Sequence, residues 1–576
     1  MKKIKEIKIQ NFKAFQQEQV FHINGKHVLV YGNNGSGKSS LFWALYTLLQ
    51  SSIKNDTGVQ KYFKKYVASN KDTHQTLKNV FMDENEDSFI KLTVIDTQTH
   101  REDTYTISHD VINTNNDGDT LIQELNLASD FINYKLLHNF YRASHKQEVN
   151  LWPVFERDIL PFLTEGTKNW LDDIIKIPTL DIPRTPRGSA VSSGRKDSYV
   201  EQLRLLNEKI QTLLDEISVH ANKFIKHHFF EAKDVVRVSL HFDKKFGFDL
   251  VSRKIWEDNK QGQRHDELHI KLGVEIYDES IPEKWRVIER VQSFLNEAQL
   301  TRIAIGVRIG ALRTRPLAEA RFKVLVLDDM LISLDLSNRM DVVRIILNKE
   351  EREDLKFFDG FQKIILTHDK GFFNLIRRNT DEEEWVYFNF NKDEKDSSSP
   401  TIKEDKTPLQ KAIRNFEENE FDTCGNDLRK EAEAILTDYL DPDMKKLSGD
   451  FETLNSKLEK AFNILTNKRH QNFTQRFLFD LDISKLKKIK SDYSADSSLT
   501  VAEKASLDNA KNRLFDFLIE FNEKKNRKEL LIIETKDILD RIMNAASHHS
   551  ENPLHREELK TAIGKIVELK EHLKRE

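Results

Sequence analysis

The chain has 576 residues, 90 Lys and Arg against 94 Asp and Glu, and a formal net charge of −4. That length allows about three to five domains, and the balanced charge excludes a global basic field, so nucleic acid could be met only through a local patch. A single cysteine, Cys424, excludes an internal disulfide and a thiolate metal cluster. No apolar run reaches the roughly 18 residues of a membrane span and no signal-peptide core follows Met1-Lys2-Lys3, so a cytoplasmic protein without membrane contact is expected.

Ile4, Ile7 and Ile9, then Val20 and Phe21, predict two short strands that with Phe12-Lys13-Ala14-Phe15 open the fold as a hairpin. The apolar run His27-Val28-Leu29-Val30-Tyr31 leads into Gly32-Asn33-Asn34-Gly35-Ser36-Gly37-Lys38-Ser39, and Ser40 to Tyr46 begins a helix. This is G-x-x-x-x-G-K-[ST] in the strand–loop–helix context that the motif requires. Its glycines let backbone N–H groups, with those of Ser39 and Ser40, wrap the phosphates of a nucleoside triphosphate at the positive end of the helix. Lys38 is expected to reach the β- and γ-phosphates and the Ser39 hydroxyl to ligate Mg²⁺.

Phe89 to Val94 and Thr104 to Ile107 flank a polar turn and predict an antiparallel pair. A helical stretch is expected over Phe131 to Leu137, followed by the apolar Leu151 to Phe155. Residues 178–198 are rich in Pro, Gly, Ser and Arg and read as a linker. Leu203, Leu206, Ile210, Leu213, Ile217, Ala221 and Phe224 then form a heptad-like seam, which fits either internal packing or a short helical arm over 199–230. Strand-like runs follow at Val235–Phe242, Phe246–Val251 and His269–Tyr277.

Lys323-Val324-Leu325-Val326-Leu327 is an apolar strand ending in Asp328-Asp329. A buried parallel strand delivers its C-terminal residues to the ligand crevice of an α/β sheet. There Asp328 can hold Mg²⁺, and Asp329 can orient and deprotonate an attacking water. Ser333-Leu334-Asp335 follows at the spacing of a dimer-contacting loop, and the strand Ile364-Ile365-Leu366-Thr367 ends at His368, placed to contact a γ-phosphate. Residues 392–408 are charged and bounded by Pro, suggesting a second linker, and 409–576 is helix-forming, strongly charged and nearly free of Gly.

In this order the motifs resemble the ABC-type ATPase head shared by SMC and RecF proteins. The resemblance implies an α/β fold, a P-loop ATPase head with inserted antiparallel strands and a short helical arm, plus an all-α C-terminal domain. It divides the head into 1–177 and 231–391, and implies ATP hydrolysis with Mg²⁺, catalysed by Asp329 and His368; because Asp329 is one methylene shorter than the Glu usual in such heads, slow turnover is expected. It also implies a signature loop acting across a head-to-head dimer around two ATP; the corresponding segment is Phe294 to Gln299, with Asn296 where Ser is usual and Glu297-Ala298 in place of two glycines. Asn296 and Gln299 are then nucleotide contacts in trans, and Gln147 stands as the Gln-loop residue. The architecture also resembles anti-phage ATPases of the Septu PtuA and retron kind, implying an effector nuclease partner and DNA or RNA as trigger; a RecF-like repair ATPase is the other reading of the head.

In the helical part, Arg429 and Glu433 share one helix face. Arg541 and His548 fit Arg-x4–6-His, which resembles HEPN-type RNases, and the Arg–Glu–His set is similar to that of ATPase-linked anticodon nucleases. A solvated face with an ion pair explains Arg429 and Glu433 equally well, and a partner-docking domain is preferred. Asp480-Leu481-Asp482 lacks the flanking pattern of a Toprim metal site, and no HNH or zinc-ligand cluster occurs.

Overall fold

The computed structural model describes residues 2–82, 86–115, 118–133, 149–165, 168–169, 193–246, 268–314, 320, 322–329, 336–348, 351–392, 400–440, 452–480, scattered positions between 500 and 519, 526–544 and 554–573. The chain forms two compact units, Met1–Asp405 and Lys406–Glu576.

The first unit opens with β1 (Lys2–Gln10), β2 (Gln19–His22) and β3 (His27–Gly32), followed by α1 (Lys38–Ser51). β4 (Phe89–Asp96) and β5 (Glu102–Ser108) pair antiparallel, and β1 and β2 join them in one sheet of order β2-β1-β4-β5. Ile7 faces Phe21 and Ile9 faces Ile90 across its ladders, so the alternating isoleucines all point into one core.

Next come α2 (Leu121–Ala128), β6 (Asp130–Asn133), α3 (Trp152–Asp158) and α4 (Ser193–Phe229). β6 corrects the helix expected from Phe131: Phe131 to Asn133 are extended and pair in parallel with a central strand. Four residues carry no usable period, so tertiary pairing decided the matter; residues 134–148, the rest of that stretch, lie outside the described residues. Residues 193–198, expected to end a linker, instead belong to α4.

α4 packs against β7 (Val236–Lys244) and α5 (Glu297–Arg313), and its whole seam from Leu203 to Phe224 is buried. Its polar face covers an open sheet edge. Asn222 exchanges two 2.7 Å hydrogen bonds with the Val238 backbone, Gln211 bonds the Phe242 N–H and Leu240 carbonyl, and Ser218 accepts from the Leu240 N–H. These side chains do for β7 what a further strand would do. β8 (His269–Tyr277) and β9 (Trp285–Val287) complete that three-stranded antiparallel sheet. Of the strand expected over Phe246–Val251, Phe246 is not in a strand and 247–251 lie outside the described residues.

The close approach of α4 to α5 rests on two glycines. A Cβ at Gly306 would stand 2.5 Å from Ile225 Cγ1, and one at Gly310 2.6 Å from the Ile217 carbonyl oxygen. Gly310→Ala is therefore expected to destabilise the protein by about 1–3 kcal/mol, since a backbone oxygen cannot step aside. That clash outweighs the roughly 1 kcal/mol that alanine gains in helix propensity. A lowered urea midpoint checks this; an unchanged or raised one refutes it.

β10 (Val324–Asp328), α6 (Leu336–Leu347), β11 (Gln362–Thr367), α7 (Lys370–Arg378), β12 (Trp385–Asn391) and β13 (Thr401–Glu404) finish the unit. The main sheet has the order β13-β12-β3-β11-β10-β6, parallel except for β13. Every residue of β10 and β11 is buried, as expected of strands covered on both faces. β13 falls within the 392–408 stretch expected to be a linker. It is a strand because Thr401 to Glu404 pair with β12, while Arg377 grips the Asp405 carboxylate at 2.5 Å.

The second unit is helical among its described residues: α8 (Pro408–Glu417), α9 (Phe421–Leu440), α10 (Leu454–Asp480), α11 (Arg527–Ile538), a π-helical turn at Leu539–Met543, and α12 (Arg556–Leu573). Leu428, Ala432, Leu436, Leu458, Met543 and Ile566 lie in its core. Thr407 with Gln410 and Asn526 with Glu529 form capping boxes that start α8 and α11.

Candidate nucleotide-binding site

The parallel register brings the C-terminal ends of β3, β11 and β10 to one edge: Thr367 pairs with Tyr31, and Asp328 with Leu366. From β3 the chain enters a loop that only glycine permits. Gly35 and Gly37 take φ of +81° and +96°, left-handed values that disfavour any Cβ. A Cβ on Gly32 would lie 2.3 Å from Ser36 Oγ and 2.8 Å from the Phe390 carbonyl oxygen. Ser40 accepts the Ala14 N–H at 3.2 Å, which ties the loop to the opening hairpin, whereas Asn33, Asn34, Gly35 and Ser39 face solvent.

Lys38 is buried, and its ammonium lies in the loop itself, donating to the carbonyls of Gly32 at 2.5 Å and Asn33 at 3.1 Å. Burial lowers its pKa, opposed by the carboxylates of Asp329 and Asp328. Ser39 Oγ donates to Asp328 Oδ2 at 3.0 Å, so the phosphate loop meets the acidic strand directly. Asp329 sits one residue past β10 with φ of +49°, a conformation that aspartate tolerates better than most residues. That backbone turn aims its carboxylate sideways. Asp329 Oδ1 accepts from the His368 N–H and stands 2.9 Å from His368 Nδ1, while Oδ2 lies 3.9 Å from Lys38 Nζ. With a carboxylate as neighbour, Nδ1 is the protonated ring nitrogen.

The donor set fits a phosphate chain with a hard cation. Ser36 Oγ is buried without a hydrogen-bond partner beside the two left-handed glycines, a donor unsatisfied within the protein. Ser39 and Asp328 bring a hydroxyl and a carboxylate oxygen together, the pairing Mg²⁺ accepts when phosphates and water supply the rest. Among the described residues no group of three or more His, Cys, Asp or Glu forms a protein-only metal cage.

Asn296 and Gln299 lie at the start of α5 and are tied to each other: Asn296 Oδ1 accepts the Gln299 N–H at 2.9 Å, and Gln299 Oε1 accepts the Asn296 N–H at 3.1 Å. This capping box does structurally what a serine would, and leaves Asn296 exposed. Gln147 and Ser333-Leu334-Asp335 lie outside the described residues. In the second unit Arg429 pairs with Glu433 at 3.3 Å and reaches Asn544 Oδ1 at 3.4 Å, which draws the two predicted polar segments together. Arg541 is 72% exposed and ion-paired to Glu558, and His548 and Asp482 lie outside the described residues.

Two ion pairs escaped the sequence reading. Arg308 of α5 is fully buried and binds both oxygens of Asp130 on β6, with a further bond to the Asp158 carbonyl at 2.5 Å. The available signal was an arginine set within the otherwise apolar run Ile303 to Leu312. Arg339 of α6 bonds Asp369, the residue after His368 and the N-cap of α7. Its partner could not be read from spacing.

A glycine-turned phosphate loop, two acidic residues ending a parallel strand and a histidine ending the next define an ATPase head of the SMC and RecF type. The chain belongs to the RecF/RecN/SMC N terminal domain family, whose model matches residues 3–384. No curated protein matches the chain. Among solved structures it is similar to an Smc head domain with an extended coiled coil, bound to the C-terminal domain of ScpA and derived from Pyrococcus furiosus, at 12% identity over 73% of this chain and 100% of that one, TM-score 0.36. The recombination mediator protein RecF-ATP is 11% identical over 70% and 98%, TM-score 0.40. The SMC head domain from Thermotoga maritima is 12% identical over 70% and 99%, TM-score 0.29. No helix among the described residues is long and apolar enough to cross a membrane.

Proposed function

We propose that the chain binds ATP with Mg²⁺, hydrolyses it slowly, and acts as a nucleic-acid-responsive sensor and scaffold that controls a partner effector nuclease in anti-phage defence. The observation that carries the ATPase reading is the contact of Lys38, Ser39, Asp328, Asp329 and His368 at one sheet edge. Lys38 exchanges its two carbonyl partners for phosphate oxygens, and the loop N–H groups bind the same chain of phosphates. Ser39 and Asp328 would hold Mg²⁺, which would neutralise charge on the phosphates. Asp329 orients the attacking water and takes its proton, and His368 holds Asp329 in place while facing the terminal phosphate.

The sandwich arrangement, two heads around two ATP, is supported by the placement of Asn296 at the exposed start of a long helix. Mixing Asn296→Arg subunits with Lys38→Ala subunits should restore partial ATPase activity, because one composite site per dimer stays intact; confirmed heterodimers without activity would refute action in trans. The control of an effector rests on the helical unit appended to the head. Its test is copurification from native cells, followed by nuclease assays with and without ATP. An ATP-dependent nuclease in the complex, absent from the purified chain, is the expected result. RNA cleavage by the purified chain alone would replace this reading with a ribonuclease.

A further inference from the structure

The segment between α1 and β4 keeps its lysines apart from most of its carboxylates along the chain. Residues 52–81 hold six lysines (Lys54, Lys61, Lys64, Lys65, Lys71 and Lys78) and two aspartates, and four carboxylates (Asp83, Glu84, Glu86 and Asp87) follow before β4, so the segment as a whole has no net charge. Backbone bonds lay this segment beside the loop after β1: the Leu77 N–H donates to the Tyr62 carbonyl at 2.8 Å, and the Lys13 N–H to the Leu77 carbonyl at 2.7 Å.

Between this segment and α1 lies a cavity of about 330 Å³, bounded by the side chains of Lys13, Trp43, Tyr46, Lys54 and Tyr62, with Thr47 and Leu77. No carboxylate is among these residues. Lys13 Nζ stands 5.8 Å over the Trp43 ring, and Lys54 and Lys61 stand 5.1 and 5.2 Å over the Tyr62 ring. Lysine stems laid on rings would by themselves be ordinary snorkelling. That does not account for the ring left open at the cavity: Trp43 is 38% exposed. An indole left open beside lysine side chains offers a stacking platform with cations at hand.

We propose that this face binds single-stranded nucleic acid, with backbone phosphates against Lys13, Lys54 and Lys61 and a base stacked on Trp43. Lysines set beside an open ring match the phosphates and unpaired bases of a single strand. A duplex keeps its bases stacked inside and would leave the rings unused. The proposal gives a surface to the nucleic-acid response in the functional reading above and rests on that reading for its consequence alone, because binding is measured independently of hydrolysis.

The test is fluorescence anisotropy of the full-length chain with labelled single-stranded DNA, single-stranded RNA and duplex DNA of about 20 nucleotides, over a range of salt. Single strands should bind more tightly than duplex, and the stronger of the DNA and RNA arms identifies the source. The double variant Lys54→Glu, Lys61→Glu, altered at surface positions, should bind at least about tenfold more weakly and flatten the log–log salt slope by about 1.4. Trp43→Ala should weaken binding about tenfold, with Trp43→Phe retaining most of it. ATP affinity should be unchanged in all three. The proposal is overturned if neither single strand binds, if these variants bind as well as the parent, or if duplex binds more tightly. It is also overturned if Trp43→Ala loses ATP affinity while oligonucleotide binding persists, since the cavity would then serve the mononucleotide. Loss of ATP binding in Lys38→Ala with oligonucleotide binding intact keeps the two readings separable.

Discussion

Lys38→Ala abolishes measurable nucleotide binding, an affinity loss of roughly a hundredfold or more. A hydrogen bond to a charged group contributes about 1.5–3 kcal/mol, and a buried ammonium facing phosphates makes more than one. Lys38 is positioned for this by burial and by two backbone carbonyls that it can leave without crossing the site. Its removal should cost the fold little. The cation is already disfavoured by burial, as its lowered pKa shows, and the carbonyls it releases belong to a loop with two solvent-facing asparagines. Equilibrium binding of labelled ATP and a melting curve decide the matter. Unchanged affinity would remove the nucleotide assignment, and a large fall in melting temperature would recast Lys38 as a structural residue.

Asp329→Ala stops hydrolysis while ATP stays bound. Loss of a general base costs about 10²–10⁴ in rate, and the effect belongs in kcat, because the Ser39–Asp328 contact that would hold the cation is untouched. Asp329→Asn separates positioning from proton transfer. The amide oxygen can keep the bond from the His368 N–H, so binding and local order should survive, but it cannot take a proton at neutral pH. Single-turnover measurement with radiolabelled ATP reads both variants. Hydrolysis at the parental rate in either one would assign the base elsewhere. A joint loss of binding and turnover would mean that Asp329 acts through the Lys38 pairing at 3.9 Å.

Much of the site was legible because its chemistry is written in contiguous residues. The phosphate loop needs glycines at fixed offsets from a strand and a helix, and Gly35 and Gly37 indeed occupy left-handed backbone. Asp328 and His368 could be read because each ends an apolar run, and an all-buried strand can end only at an edge of the sheet. What each apolar run pairs with is not written in its own residues. β6 is too short to show a period, and it is a strand because β10 offers a parallel edge and Arg308 a partner for Asp130.

The sequence by itself therefore determined the phosphate loop, the acidic strand, the order of motifs and the family they define, since each depends on neighbours within a few positions. Tertiary structure alone decided that the heptad seam of α4 turns inward, that its amides cover the edge of β7, and that the Asp329 carboxylate turns to His368. The physical reason is the same in all three. A buried face, an open strand edge or a carboxylate is satisfied by whichever group folding brings near, and these partners lie 39 residues away in the case of His368 and 16 in that of Val238.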